Sequence, residues 1–169
     1  SIGRAQLIML SKVDQTTKAA GLEKTIQKYN PRAPIFNASL QAQVFRSTAN
    51  DETLSLAALK GKRAAAVCSI GDPDSFFSLV ESLGVTITAR LAFPDHHWYG
   101  AADYRVINQS GYHADFIITT EKDIAKLDET MLGKRKIFAL QTRMQVAGEE
   151  QFFKTIRACV AELIITEQH

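Results

Sequence analysis

This chain has little of what marks a secreted, membrane-spanning or nucleic-acid-binding protein. Only two cysteines occur in 169 residues. Cys68 lies inside an apolar run and Cys159 in an amphipathic helical pattern, so both read as reduced core thiols of a cytosolic protein. No apolar run approaches the ~20 residues a membrane-spanning helix needs. Nothing at the N-terminus resembles a signal peptide, and a soluble domain is expected. Charge of one sign is also lacking. The net charge is +2, and the basic residues are scattered except at Lys60-Gly61-Lys62-Arg63 and Lys134-Arg135-Lys136. Each cluster precedes an apolar run, as a solvated loop before a strand would, and the balance excludes a dedicated nucleic-acid binder. There is no internal repeat and no low-complexity segment. An initiator Met is absent too, and the chain opens almost directly on a buried-looking strand, Ala5-Gln6-Leu7-Ile8-Met9-Leu10. This reads as the later part of a longer protein.

What is present is an alternation of strand-like runs with stretches of helical period, which predicts βα units and a mostly parallel, Rossmann-like sheet flanked by helices. After the first strand, Ala19, Leu22, Ile26 and Tyr29 recur at helical spacing until Pro31 and Pro34 end the pattern. Ile35 to Leu40 and Gln41 to Ser47 read as extended segments, forming a small two-stranded ribbon or linker. Ala64 to Cys68 is a continuous apolar run, expected for a strand covered on both faces. A helix from Pro73 to Leu83 should turn Phe76, Phe77, Val80 and Leu83 inward and end at Gly84. Further strands are expected at Val85–Phe93, Asp115–Thr119 and Ile137–Leu140. Helices are expected at Ala101–Gln109, from Glu121, and from about Glu149 to Leu163.

Phe93-Pro94-Asp95-His96-His97-Trp98-Tyr99 holds the densest chemistry. Pro94 has no N–H for a ladder, so the strand stops there and Asp95 and His96 emerge at its C-terminal edge, where open α/β sheets collect ligands. The residues permit three readings. Asp95 could cap a turn between half-exposed imidazoles. Asp95 and His96 could be part of a metal site with further ligands, His97 pointing the other way on extended backbone. One imidazole, oriented by a carboxylate, could take a hydroxyl proton. Elsewhere, Asp72 and Pro73 are helix-start chemistry, and Thr120 with Asp123 has capping-box spacing. Lys122 is placed either to face solvent or to reach an anion at that helix N-terminus. Ser11-Lys12-Val13-Asp14 echoes the Asn-Lys-x-Asp box that grips a nucleotide base, with Ser in place of Asn.

Taken in order, several motifs resemble the tetraacyldisaccharide 4'-kinases, the lipid A kinases. These are Ser11-Lys12-x-Asp14, Leu59-Lys60-Gly61-Lys62, Ile70-Gly71-Asp72-Pro73-x-x-Phe76-Phe77, Leu83-Gly84, Phe93-Pro94-Asp95-His96-His97-x-Tyr99-x-x-x-Asp103 and Thr119-Thr120-Glu121-Lys122-Asp123-x-x-Lys126-Leu127. The likeness covers nearly the whole chain and is densest from Leu59 to Leu127. Ser69 and Asp72 depart from it, the family more often having Gly and Asn there. The resemblance implies a kinase that moves the ATP γ-phosphate to the 4'-hydroxyl of a tetraacyldisaccharide 1-phosphate at the cytoplasmic face of the bacterial inner membrane, as a peripheral protein. It also implies four parts: residues 1–34 end a P-loop domain, 35–58 form a two-stranded linker, 59–147 a smaller α/β domain, and 148–169 a helix packing back on the core. His96 would pair with a carboxylate from the N-terminal half as base for the sugar hydroxyl, Asp95 would orient the loop, and Lys122 and Asp14 are candidate nucleotide contacts.

Phosphate cradling needs Gly-x-x-x-x-Gly-Lys-[Ser/Thr] and a strand-end carboxylate for Mg²⁺. Neither Gly61-Lys62-Arg63 nor Gly133-Lys134-Arg135 supplies them. ATP and Mg²⁺ are therefore expected to be held mainly by an N-terminal P-loop half, and this fragment alone is expected to be inactive. Two other readings compete. Asp72-Pro73-Asp74 ahead of Asp95-His96-His97 superficially resembles the manganese phosphoesterases named for that triplet, which further need an upstream His and a glycine-rich His motif that this chain lacks. The fragment could also be a non-catalytic α/β binding module.

Overall fold

The computed structural model describes residues 2–11, 17–47, 52–133 and 135–166. The chain divides into two compact units, residues 1–41 with 143–169, and residues 42–142.

In the first unit, a short 3₁₀ turn at Ile2–Arg4 leads to β1 (Ile8–Ser11), and α1 (Thr17–Tyr29) returns the chain to β2 (Ile35–Ser47). β1 lies parallel to the start of β2, with Ile8 opposite Ile35 and Ser11 opposite Ala38. The first strand starts later than the apolar run suggests, and Asn30 is the reason. Its buried side-chain amide donates to the carbonyls of both Ile2 and Ala5 at 2.8 Å, which commits those carbonyls to a local turn. Of the α1 stripe, Ile26 is buried while Leu22 and Tyr29 are exposed. The last helix, α5 (Glu149–Thr166), sets Phe152 edge-on against Phe36, their centroids 5.3 Å apart.

The second unit carries the parallel sheet. Its strands are β4 (Arg63–Cys68), β5 (Thr86–Ala92), β6 (Phe116–Thr120) and the start of β7 (Ile137–Val146), in the order β7-β6-β4-β5 with every pair parallel. Ile35–Leu40 and Gln41–Ser47 fall within the single strand β2 rather than two, and its end pairs antiparallel with β3 (Thr53–Leu54). The helices are α2 (Pro73–Ser82), α3 (Ala101–Ser110) and α4 (Glu121–Ile124).

Burial follows position in the sheet. Central β4 and β6 are covered on both faces, and Ala64 to Cys68 and Phe116 to Thr119 are all buried. β5, at the edge, alternates between half-buried and exposed residues. Because strand side chains point alternately to opposite faces, the core divides in two. Ala64, Ala66, Cys68, Ile118, Phe138 and Leu140 meet Phe76, Phe77 and Val80 of α2. Ala65, Val67, Ile117 and Ile137 meet Tyr104 and Ile107 of α3.

The short loop after α2 depends on Gly84, whose φ is +79° and whose N–H closes onto Glu81 O at 2.8 Å. A Cβ there would stand 2.9 Å from Lys60 Cγ. Gly84→Ala is therefore expected to destabilise the fold by about 1–2 kcal/mol, the cost of a left-handed non-glycine residue, read as a lower urea midpoint at unchanged m.

Candidate active site

Parallel strands put their C-terminal ends on one edge, so the segments after β4, β5 and β6 emerge together there. The loop after β5 is tied to the one after β4 through the backbone. Phe93 N–H donates to Cys68 O at 2.8 Å, and His96 N–H reaches Ser69 O at 3.3 Å. Asp95 Oδ1 also accepts the His96 N–H, at 3.1 Å. His97 N–H closes a turn onto Pro94 O at 3.1 Å. The backbone at His96 is not extended, as the strand-like reading of this stretch required, but left-handed, with φ +61°.

The side chains divide the work. His96 is the open imidazole, 84% exposed, with Nε2 3.9 Å from the half-exposed Asp95 Oδ2. At that separation the pair forms no hydrogen bond. His97 is held: its Nε2 lies 2.9 Å from Asp103 Oδ2, and its ring stacks on Phe93 at 5.2 Å and meets Tyr99 edge-on. Asp103, in the first turn of α3, also accepts the Gly100 N–H at 2.7 Å.

That Gly100 bond, with the one to His97, holds the Asp103 carboxyl below the usual carboxylate range. A depressed folded pKa means its contribution to stability is present above the unfolded value, ~3.9, and is lost as pH falls through the lower folded one. Asp103→Asn should therefore flatten the acid limb of the stability curve. Urea unfolding at neutral and acid pH reads this directly.

Behind the loop lies a polar cluster that sequence spacing assigned only to helix capping. Asp123 is fully buried on α4. Its Oδ2 accepts the Ser69 N–H at 2.8 Å and the Thr120 hydroxyl at 2.8 Å, and its Oδ1 accepts the Ser69 hydroxyl. Lys126 Nζ donates to Asp123 Oδ1 at 3.1 Å and to Ser69 Oγ at 3.0 Å. Half of the capping box is present, because Thr120 Oγ1 accepts the Asp123 N–H at 3.2 Å. The carboxylate, however, turns inward to Ser69. Burial alone would raise its pKa, and the bonds from Ser69, Thr120 and Lys126 outweigh that, so the net shift is downward. Next to this charge, burial first and then Asp123 push the Cys68 thiol up to about 12 and raise the Tyr99 hydroxyl well above its ordinary value. Cys68 is thus an inert core thiol, and Cys159 is half-buried.

Of the residues singled out from sequence, Asp95 and His96 share one loop at the strand edge, and Lys122 is exposed on α4. Asp14 lies outside the described residues, as does Lys12. Asp72 caps α2, accepting the Ser75 N–H at 3.3 Å. Among the described residues no three His, Cys, Asp or Glu side chains come together as a metal cage. Ser69, Lys126 and the His97–Asp103 pair were not foreseen as parts of a site. The i,i+3 spacing of Asp123 and Lys126, which stacks an acid and a base on one helical turn, was the available signal.

A parallel α/β sheet with a histidine loop at the C-terminal edge of its strands, buttressed by a buried Asp–Lys pair, defines the class as an α/β protein with a candidate acid–base site. The family model for tetraacyldisaccharide-1-P 4'-kinase matches residues 1–161, and the chain belongs to that family. Relatives include the tetraacyldisaccharide 4'-kinases of Desulfatibacillum aliphaticivorans, 38% identical over 58% of this chain and 27% of that protein, and of Anaeromyxobacter dehalogenans, 31% identical over 78% and 35%. The chain thus spans about a third of the curated relatives it matches. Its fold is similar to that in the crystal structure of LpxK from Aquifex aeolicus in complex with ATP, with a TM-score of 0.51 and 20% identity over 92% of this chain and 53% of that one.

Proposed function

We propose that these residues are the C-terminal portion of a kinase that transfers the ATP γ-phosphate to the 4'-hydroxyl of a tetraacyldisaccharide 1-phosphate in lipid A biosynthesis. The observation that carries this reading is the family match over residues 1–161. The motifs at the sheet edge agree with it. His96 is the side chain free to take the proton of the sugar hydroxyl, being exposed, uncommitted to a hydrogen bond and raised on a braced loop. Asp95 orders that loop by accepting the His96 N–H, and Lys122 and Asp14 are nucleotide contacts.

The residues present do not fit the phosphates or Mg²⁺ of such a reaction. There is no Gly-x-x-x-x-Gly-Lys-[Ser/Thr] loop, and the described side chains form no acidic cage. We assign both tasks to the protein's own N-terminal P-loop domain, residues 1–34 being the end of that domain's fold. Among the described residues no helix is long and apolar enough to cross a membrane. On the strength of the family likeness, the lipid substrate is met from a peripheral position on the cytoplasmic face of the inner membrane.

The test is phosphorylation of the disaccharide with labelled ATP. The full-length protein should transfer label to the 4'-position, and residues 1–169 alone should transfer none. Label transferred by the fragment alone would overturn the assignment of the cradle, and none by the full-length protein would overturn the kinase reading.

A further inference from the structure

His96 has a backbone that L-residues avoid. At φ +61° its Cβ crowds a carbonyl, and such a conformation persists only where the surroundings over-determine it. Two contacts hold its N–H. One, to Asp95 Oδ1, lies within the loop. The other, to Ser69 O, is the contact from outside.

Ser69 is itself fixed on every side. It is buried, its N–H is committed to Asp123 Oδ2, and its hydroxyl lies between Asp123 Oδ1 and Lys126 Nζ. Asp123 is in turn held by Thr120 and by the Lys126 ammonium. One residue thus relays position from a buried ion pair to the exposed imidazole, through the two peptide units that meet at its Cα. It receives Asp123 at the N–H of Ser69 and offers the C=O of Ser69 to His96.

We infer that Asp123 is a positioning residue for His96, acting through Ser69, and that Lys126 keeps the Asp123 carboxylate in the charged, inward-facing state the relay needs. The inference rests on the proposed role of His96 as the base and deepens it. A carboxylate serving stability alone would have no reason to be coupled to His96. A positioning carboxylate must be coupled, because displacing a reacting group by about 1 Å costs ~10²-fold in rate.

The experiment uses the full-length protein in four variants: Asp123→Asn, Asp123→Asn/Lys126→Met, His96→Ala, and His96→Ala/Asp123→Asn. The second removes the ammonium that Asp123→Asn strands, and so stands in if the single variant does not fold. Asp123→Asn is expected to lower kcat by ~10- to 100-fold while changing KM for ATP by less than about twofold. In the His96→Ala background the same substitution should do nothing more, since the group it positions is gone. In protein labelled with ¹⁵N-histidine, the His96 amide should exchange with solvent faster in Asp123→Asn. An equal fall in kcat with and without His96, or an unmoved His96 amide, would overturn the inference. If the full-length wild type does not phosphorylate the disaccharide, the kinase reading fails, and the exchange of the His96 amide still decides whether Asp123 positions it.

Discussion

His96→Ala in the full-length protein is expected to lower kcat by ~10²-fold or more, the usual worth of a general base, with ATP binding nearly unchanged. The imidazole is 84% exposed, so its removal leaves no cavity and the fold should survive intact. His97→Ala should act differently. That ring is hydrogen-bonded to Asp103 and stacked on Phe93, so its loss should lower stability first and kcat by a smaller factor. Steady-state kinetics with ATP varied at saturating disaccharide, beside urea unfolding of each variant, separate the two. A silent His96→Ala would reduce Asp95-His96-His97 to a structural turn. Were the loop instead a Mn²⁺ or Zn²⁺ site, the purified fragment would carry stoichiometric metal and lose it on His96→Ala, His97→Ala or Asp72→Ala.

The second large effect is expected at Lys126. Its ammonium is the cation paired with a carboxylate that has no exposure at all. Lys126→Met would leave Asp123 charged in a low-dielectric site, and breaking such a pair from one side costs about 3–5 kcal/mol. Asp123→Asn/Lys126→Met should recover most of this, because neither charge is then stranded. The pH dependence has a definite sign. Asp123 has a lowered pKa in the fold, so its contribution is present above the unfolded carboxylate value and is lost as pH falls through the folded one. Without the Lys126 bond the folded pKa rises, and the acid limb of the stability curve should move to higher pH. Urea midpoints across the acid range measure both effects, and an unchanged midpoint at neutral pH would mean that water reaches Asp123.

Both effects hinge on features with unequal visibility in the sequence. The βα alternation was plain because central strands of a parallel sheet need apolar residues on both faces, and Ala64 to Cys68 and Phe116 to Ile118 supply them. The strand ends were less plain. β7 continues past Leu140 through Gln141, Thr142 and Arg143 to Val146, where polar side chains remove the apolar signal although the backbone still extends. The start of β1 is hidden by a distant contact instead. Asn30, 25 residues from Ala5 in sequence, takes the Ala5 carbonyl, the first that the expected strand would have used.

The sequence alone was enough for the α/β class, the alternation of the main strands and helices from Arg63 onward, the emergence of Asp95 and His96 at a strand's C-terminal edge, and the family. These rest on local regularities: period, proline stops, caps and short motifs in a fixed order. Only the tertiary structure decided which histidine is free and which is held, that His96 adopts a left-handed backbone, and that Asp123 turns inward to Ser69 and Lys126 instead of merely capping α4. The last of these depends on a contact between residues 54 positions apart, Ser69 and Asp123, and the second on the reach of His96 N–H to Ser69 O. Such pairs meet only once β4, β5 and β6 align in parallel and bring their ends to one edge. A capping box and a buried charge relay can share the same spacing, and the side on which the carboxylate finds its donors distinguishes them.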